Sequence, residues 1–209
     1  MTEFWEAAFV EKRRMWGNAP TQSALFAADD FARAGIGDVL LPGIGYGRNA
    51  LPFLERGIRV TGIEISETAI ALARSELGLD IVIHHGPVAN MPYDDQRYGG
   101  VFSHGLVHLL DAPGRADFFR KCHDQLGPDG RMIVTLLSKR APMYGRGPKL
   151  GDDYYEAVPG APMYFYDADS VARDLGPFGL VTQHDLDEPG PHGGTMPFIV
   201  AVCARGGRA

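Results

Sequence analysis

The sequence predicts an α/β fold, a doubly wound, mostly parallel seven-stranded sheet with an antiparallel final strand, behind an N-terminal helical segment. Three observations predict it. From Val39 to Leu137 short apolar runs alternate with amphipathic helical patterns, the rhythm of β-α-β units. The first run ends in the clustered glycines Gly43, Gly45 and Gly47, which let a chain leave a strand sharply and carry backbone N–H groups close to a ligand. The last two runs have no helical pattern between them, as in an antiparallel pair.

Taken in order, Trp5, Phe9 and Trp16 bracket the charged stretch Glu11-Lys12-Arg13-Arg14 in an amphipathic helical pattern, and a second helix is expected from Gln22 to Ala34. Asp38 to Leu41 reads as the first strand, and a helix from Arg48 stops at Gly57, a suitable left-handed C-cap. Arg59 to Ile63 is the second strand. Its tip carries Glu64, 21 positions after Gly43, where a carboxylate can accept the hydroxyl protons of a ribose. Ser66 caps a helix ending at Gly78, and Asp80 to His84 is the third strand. Val101 to Ser103 is the fourth, and Asp111 with Pro113 opens the helix that runs to Leu126. After the turn Gly127-Pro128-Asp129-Gly130, Arg131 to Leu137 is the fifth. The periodicity then dissolves from Ser138 to Tyr166, too long a stretch for a simple connection, so a substrate or lid loop is expected. A helix over Ala168–Leu175 and strands over Leu180–Asp187 and Pro197–Ala204 complete the chain.

Composition narrows the function. The 209 residues, 45% hydrophobic, suffice for one well-buried core. A formal charge of −6 and the lack of any basic block argue against nucleic-acid binding. No apolar run approaches the roughly 20 residues of a membrane span, so no membrane association is expected, and the isolated Cys122 and Cys203 fit a reducing, cytoplasmic setting. The sequence is silent on oligomeric state.

The loop reads G-x-G-x-G, with Arg48 where the third glycine of the dinucleotide pattern would fall, which disfavours NAD. At Pro42-Gly43-Ile44-Gly45 and Gly62-Ile63-Glu64-Ile65-Ser66-Glu67 the chain resembles the Rossmann-like class I S-adenosylmethionine-dependent methyltransferases of the thiopurine branch, and at Gly47-Arg48-Asn49 the tellurite-resistance branch. The resemblance implies one methyltransferase domain. Its parts would be an N-terminal helical lid (1–34), a cofactor-binding core (35–137), a substrate loop (138–166) and a closing helix and strand pair (167–204). It implies S-adenosyl-L-methionine as cofactor, S-adenosyl-L-homocysteine as product and a small-molecule methyl acceptor. Carried over residue by residue, the cofactor contacts would be Trp16, Pro42, Gly43, Gly45, Gly47, Asn49, Glu64, Ile65, Val88, Ala89, Asn90 and Ser103. The family's acid for the methionine ammonium is replaced by Pro42, and its Asp near the adenine by Gly86-Pro87.

In this topology the strand order reverses between the first and fourth strands, so Ser103 and His104 fall beside the glycine loop, where ligands of open parallel sheets bind. His104, as a base near its ordinary pKa of about 6.5, is the first catalytic candidate; His108, one helical turn on if 105–110 is helical, is the second. The pair could share a metal ion with His192 or Glu188, but no clear third ligand stands out and no metal is assigned. Tyr144, Tyr154, Tyr155 and Tyr164 in the irregular stretch are the expected substrate contacts, offering flat apolar area with a polar tip. The activity expected is transfer of a methyl group to an oxygen, nitrogen or sulfur nucleophile. An NAD-dependent oxidoreductase and a non-catalytic S-adenosylmethionine-binding protein remain the alternatives.

Overall fold

The computed structural model describes residues 2–190 and 194–206. Helices α1 (Thr2–Lys12) and α2 (Gln22–Arg33) precede strand β1 (Asp38–Pro42). The expected helix after the glycine loop is a tight turn over Arg48–Ala50 followed by α3 (Leu51–Glu55), closed by Gly57 at φ +72°. Then come β2 (Arg59–Glu64), α4 (Glu67–Leu77), β3 (Val82–His85), β4 (Tyr98–Ser103), α5 (Ala112–Asp124) and β5 (Leu126–Leu137). The expected turn at 127–130 lies within β5, whose pairing with β4 shifts register between Tyr98 and Gly100. Ser66, Asp111 and Asp167 cap their helices through side-chain oxygens, each accepting a backbone N–H, as sequence predicts.

The stretch 138–166 is not irregular. It folds into a small antiparallel sheet, β6 (Lys149–Gly151), β7 (Tyr154–Val158) and β8 (Ala161–Tyr164), before α6 (Ala168–Leu175), β9 (Leu180–Pro189) and β10 (Thr195–Ala204). Its strands are too short, and alternate too weakly in polarity, to be visible in the sequence.

The main sheet has the order β3-β2-β1-β4-β5-β10-β9, with β10 antiparallel to both neighbours and the first five strands parallel. Alternation along each strand supplies two cores. Leu40, Met132 and Val134 face Phe118, Phe119 and Cys122 of α5. Val39, Leu41 and Ile133 face Ala27, Ala28 and Phe31 of α2, with Phe53 and Ala73. Cys122 and Cys203 are buried free thiols. Among the described residues no helix is long and apolar enough to cross a membrane.

The ends of β1, β2, β4 and β5 meet beneath α1. Phe9 and Trp5 pack with Tyr46, Ala69 and Leu72, and the Glu6 carboxylate accepts the hydroxyls of Ser66 (2.6 Å) and Thr68 at the start of α4. The strand order reverses between β1 and β4, and the main cavity opens there.

Candidate active site

The cavity measures about 510 Å³ and extends from the tip of β2, past β1 and β4, to the ends of β5 and β10. A second cleft of about 370 Å³, beside α5, is lined largely by surface charges and holds none of the sequence-predicted site residues.

At the β2 end the glycine loop is built around Glu64. Gly43, Gly45 and Gly47 all have positive φ, which only glycine adopts without strain. Gly43 and Ile44 N–H donate to the Ile63 carbonyl (2.8 and 3.1 Å) and Gly45 N–H donates to Glu64 Oε2 (2.7 Å). Glu64 Oε1 accepts Ile65 and Ser66 N–H (2.9 and 3.0 Å). Burial pushes this carboxyl above its ordinary pKa, against those three donors. A carboxylate has about four lone-pair positions, so one on Oε2 is left for a further donor.

The cavity collects most of the predicted cofactor residues. Trp16, Gly43, Gly45, Asn49, Glu64, Ile65, Val88 and Ala89 line it. Pro42, Gly47, Asn90 and Ser103 do not. Pro42 and Ser103 bond to each other (Ser103 Oγ to the Pro42 carbonyl, 3.0 Å), tying the ends of β1 and β4, and Asn90 points to solvent. Gly47 serves packing: a Cβ there would lie 2.3 Å from Leu79 Cδ1 and 3.5 Å from Ala73 Cβ.

Trp16 stacks on Tyr46 (6.3 Å between centroids, 12° between planes) and also borders the cavity, so it both packs the N-terminal segment against the glycine loop and faces the site. Arg48, notable in sequence only as a missing glycine, donates to the Trp16 and Ala19 carbonyls (2.7 and 3.0 Å) and so holds the turn between α1 and α2 against the loop.

His104 lies at the switch point and lines the cavity. His108 does too, but from a three-residue 3-10 turn, Val107–Leu109, rather than a helix face. Burial pushes both imidazoles down, His104 to about 3 and His108 to about 4, where the sequence reading expected an ordinary histidine. Both are neutral at physiological pH. His104 Nδ1 lies 3.1 Å from Ser23 Oγ and 3.0 Å from Thr135 Oγ1. Thr21 N–H (2.9 Å) fixes Asn49 Oδ1 as an acceptor, the Thr21 hydroxyl donates to the same oxygen (3.1 Å), and Ser23 Oγ donates to Thr21 Oγ1 (3.0 Å). With those protons committed, Ser23 Oγ faces Nδ1 as an acceptor, while the Thr135 hydroxyl, which accepts Gly105 N–H (3.1 Å), has its own proton free for the same nitrogen; Nε2 is the ring nitrogen left to the cavity.

None of Tyr144, Tyr154, Tyr155 and Tyr164 lines the cavity. The Tyr144 hydroxyl donates to Asp153 (2.7 Å) and its ring packs edge-on against Tyr155 and Phe165. Tyr154 is half-buried against the α5 core, and Tyr164 lies under the Arg115 guanidinium, 3.7 Å from its ring centroid. Side chains alternate along a strand, so in β8 Tyr164 is buried against that core while its neighbour Met163 reaches the cavity. Met143, Met163, Met196, Phe198 and Glu188 are the lining residues that sequence reasoning missed as a substrate wall; Glu188 was named only as a possible metal ligand. Its two oxygens accept Gln22 and Ser23 N–H (both 2.8 Å) at the start of α2. Among the described residues no three His, Cys, Asp or Glu side chains gather as a metal site, and His192 lies outside those residues.

Comparison with known proteins agrees with this geometry. Residues 39–130 match the family model described as a methyltransferase domain. The 2-heptyl-1-hydroxyquinolin-4(1H)-one methyltransferase of Mycobacteroides abscessus is 29% identical over 109 residues, 50% of this chain and 48% of that protein; the match spans about half the relative's length. Among solved structures, the 1,6-didemethyltoxoflavin-N1-methyltransferase of Burkholderia thailandensis, with bound 1,6-didemethyltoxoflavin and S-adenosylhomocysteine, superposes with a TM-score of 0.75. It is 20% identical and covers 98% of this chain and 86% of its own. The glycopeptide N-methyltransferase MtfA complexed with S-adenosylmethionine gives a TM-score of 0.63 at 20% identity, over 90% of this chain and 95% of its own.

Proposed function

We propose that this chain is a class I methyltransferase that transfers a methyl group from S-adenosyl-L-methionine to an oxygen, nitrogen or sulfur of a small molecule, a reading supported by its fold and by the family match over residues 39–130. S-adenosyl-L-homocysteine is the other product. The observation that carries the reading is one cavity at the switch point, with Glu64 and the glycine loop at one end and His104 at the other.

The residues fit the cofactor. The remaining Glu64 lone pair can accept a ribose hydroxyl, and Val88 and Ala89 offer an apolar edge for an adenine. Trp16, from the N-terminal segment, stacks on Tyr46 of the glycine loop at the edge of the site. The bound sulfonium supplies an already activated methyl carbon, so most of the acceleration comes from holding the nucleophile in line at about 3–3.5 Å.

His104 orients the acceptor. Its Nε2 lone pair accepts the acceptor's O–H or N–H, with the ring held by Ser23 and Thr135. A pKa near 3 means that it takes the proton only as methylation makes the acceptor strongly acidic, not beforehand. Calorimetric titration with S-adenosylmethionine, S-adenosylhomocysteine and NAD tests the cofactor. Micromolar binding of the first two is expected; binding of NAD alone would move the chain to the oxidoreductases. S-adenosylhomocysteine release with a methylated acceptor would separate an enzyme from a non-catalytic binder.

A further inference from the structure

The acceptor end of the cavity has a chemistry of its own. Two imidazoles flank Phe198, His104 at 5.0 Å and His108 at 6.1 Å between ring centroids. Around them stand Met143, Met163 and Met196. We propose that this compartment takes a planar aromatic or heteroaromatic acceptor without a cationic group, which presents its nucleophilic O–H or N–H to His104 and a second, neighbouring polar atom to His108. The proposal rests on the methyl-transfer reading above.

Three observations lead there. First, among the described residues the carboxylates of the lining are already bonded within the protein: Glu188 accepts two backbone N–H groups of α2 and Glu64 accepts three at the glycine loop. An ammonium left unpaired among thioethers and phenyl would pay a large desolvation cost. Second, thioethers are polarizable and adaptable and make favourable contacts with aromatic rings, so three of them beside a phenyl suit a flat ring better than a branched aliphatic chain. Third, His108 is only 7% exposed, yet neither ring nitrogen has a hydrogen-bond partner among the described residues: Nδ1 is fully buried and Nε2 is left to the cavity. Nε2 is the ring atom that a ligand in the cavity can reach, and a polar ligand atom there would give this ring its one hydrogen bond.

The transfer balances. The acceptor's lone pair forms a bond to the methyl carbon as the carbon–sulfur bond breaks, its electron pair staying on sulfur to give a neutral thioether. The acceptor's proton passes to His104 Nε2 and then to solvent. His108 touches the second polar atom and so selects the acceptor and its orientation.

The test follows labelled methyl from S-adenosylmethionine onto three probes of similar size: 8-hydroxyquinoline, 1-naphthol and cyclohexylmethylamine. The proposal expects methylation of 8-hydroxyquinoline with kcat/KM at least tenfold above 1-naphthol, which lacks the ring nitrogen, and none of the amine. His108→Phe should bring the ratio of the two aromatic probes to about one, and His108→Gln, which returns a polar atom, should restore part of it. The wild-type ratio tests the proposal even if a variant fails to fold. Preference for the amine, equal rates for the two aromatic probes, or no methylation of either by protein that binds S-adenosylmethionine would overturn it. Failure to bind S-adenosylmethionine at all would overturn the reading beneath it.

Discussion

Glu64→Gln separates the two tasks that the structure gives one carboxylate. Oε1 accepts two backbone N–H groups and Oε2 one, so the spare lone pair is on Oε2, beside Gly45. In the variant, the best amide orientation keeps its oxygen on Ile65 and Ser66 and sets an NH2 against the Gly45 N–H at the former 2.7 Å contact. The reverse orientation opposes two donors instead of one. Hydrogen bonds to charged groups are worth about 1.5–3 kcal/mol, and a buried donor left without an acceptor costs a similar amount, so a loss of about 2–3 kcal/mol in stability is expected. For a domain of this size that is about 5–10 °C in Tm. The NH2 also removes the acceptor offered to a ribose, so S-adenosylmethionine should bind at least tenfold more weakly, a change of about 1.4 kcal/mol or more. Differential scanning fluorimetry and calorimetric titration read the two effects separately. A variant with wild-type Tm would refute the role of Glu64 in building the loop, and one with lowered Tm but unchanged affinity would refute its contact with the cofactor.

Other perturbations follow from the same geometry. Gly47→Ala combines a left-handed φ of +86° with a Cβ 2.3 Å from Leu79, so about 2–5 kcal/mol of destabilisation is expected in urea denaturation, and a midpoint unchanged within error would contradict the packing role. Ser23→Ala removes an acceptor of the His104 Nδ1–H; turnover should fall about tenfold with S-adenosylmethionine affinity unchanged, whereas equal losses in both would make Ser23 part of the cofactor site. His108 is buried neutral with a pKa depressed to about 4, so its contribution is complete above about 6.5 and lost as pH falls towards 4, about 3 kcal/mol in all. The loss between pH 7 and 4 should therefore be about 3 kcal/mol smaller in His108→Phe than in the wild type, the part due to His104 remaining; equal losses in the two would place the acid sensitivity elsewhere.

The cofactor half was legible in sequence because its signals are short and contiguous. Glycines clustered after an apolar run, an acid at the tip of the next strand and helix caps at Ser66, Asp111 and Asp167 each express a local backbone requirement that a few adjacent residues satisfy. Alternating strands and helices imply a parallel sheet, and the general rule for such sheets was enough to put His104 at the switch point. The acceptor half was not legible. Its wall comes from Met143, Met163, Met196 and Phe198, and the partners of His104 from Ser23 and Thr135, residues far apart in the chain and joined only by the packing of α2, β5, β8 and β10. In β8 the alternation of side chains gave Met163 to the cavity and Tyr164 to the core, a parity invisible while the strand itself went unseen. Burial, a property of the assembled fold, drove His104 and His108 far below an ordinary histidine pKa. Local chemistry thus determined where a cofactor could be held, and only the tertiary arrangement decided what surrounds the acceptor, because desolvation and side-chain partnership depend on residues that sequence order keeps apart.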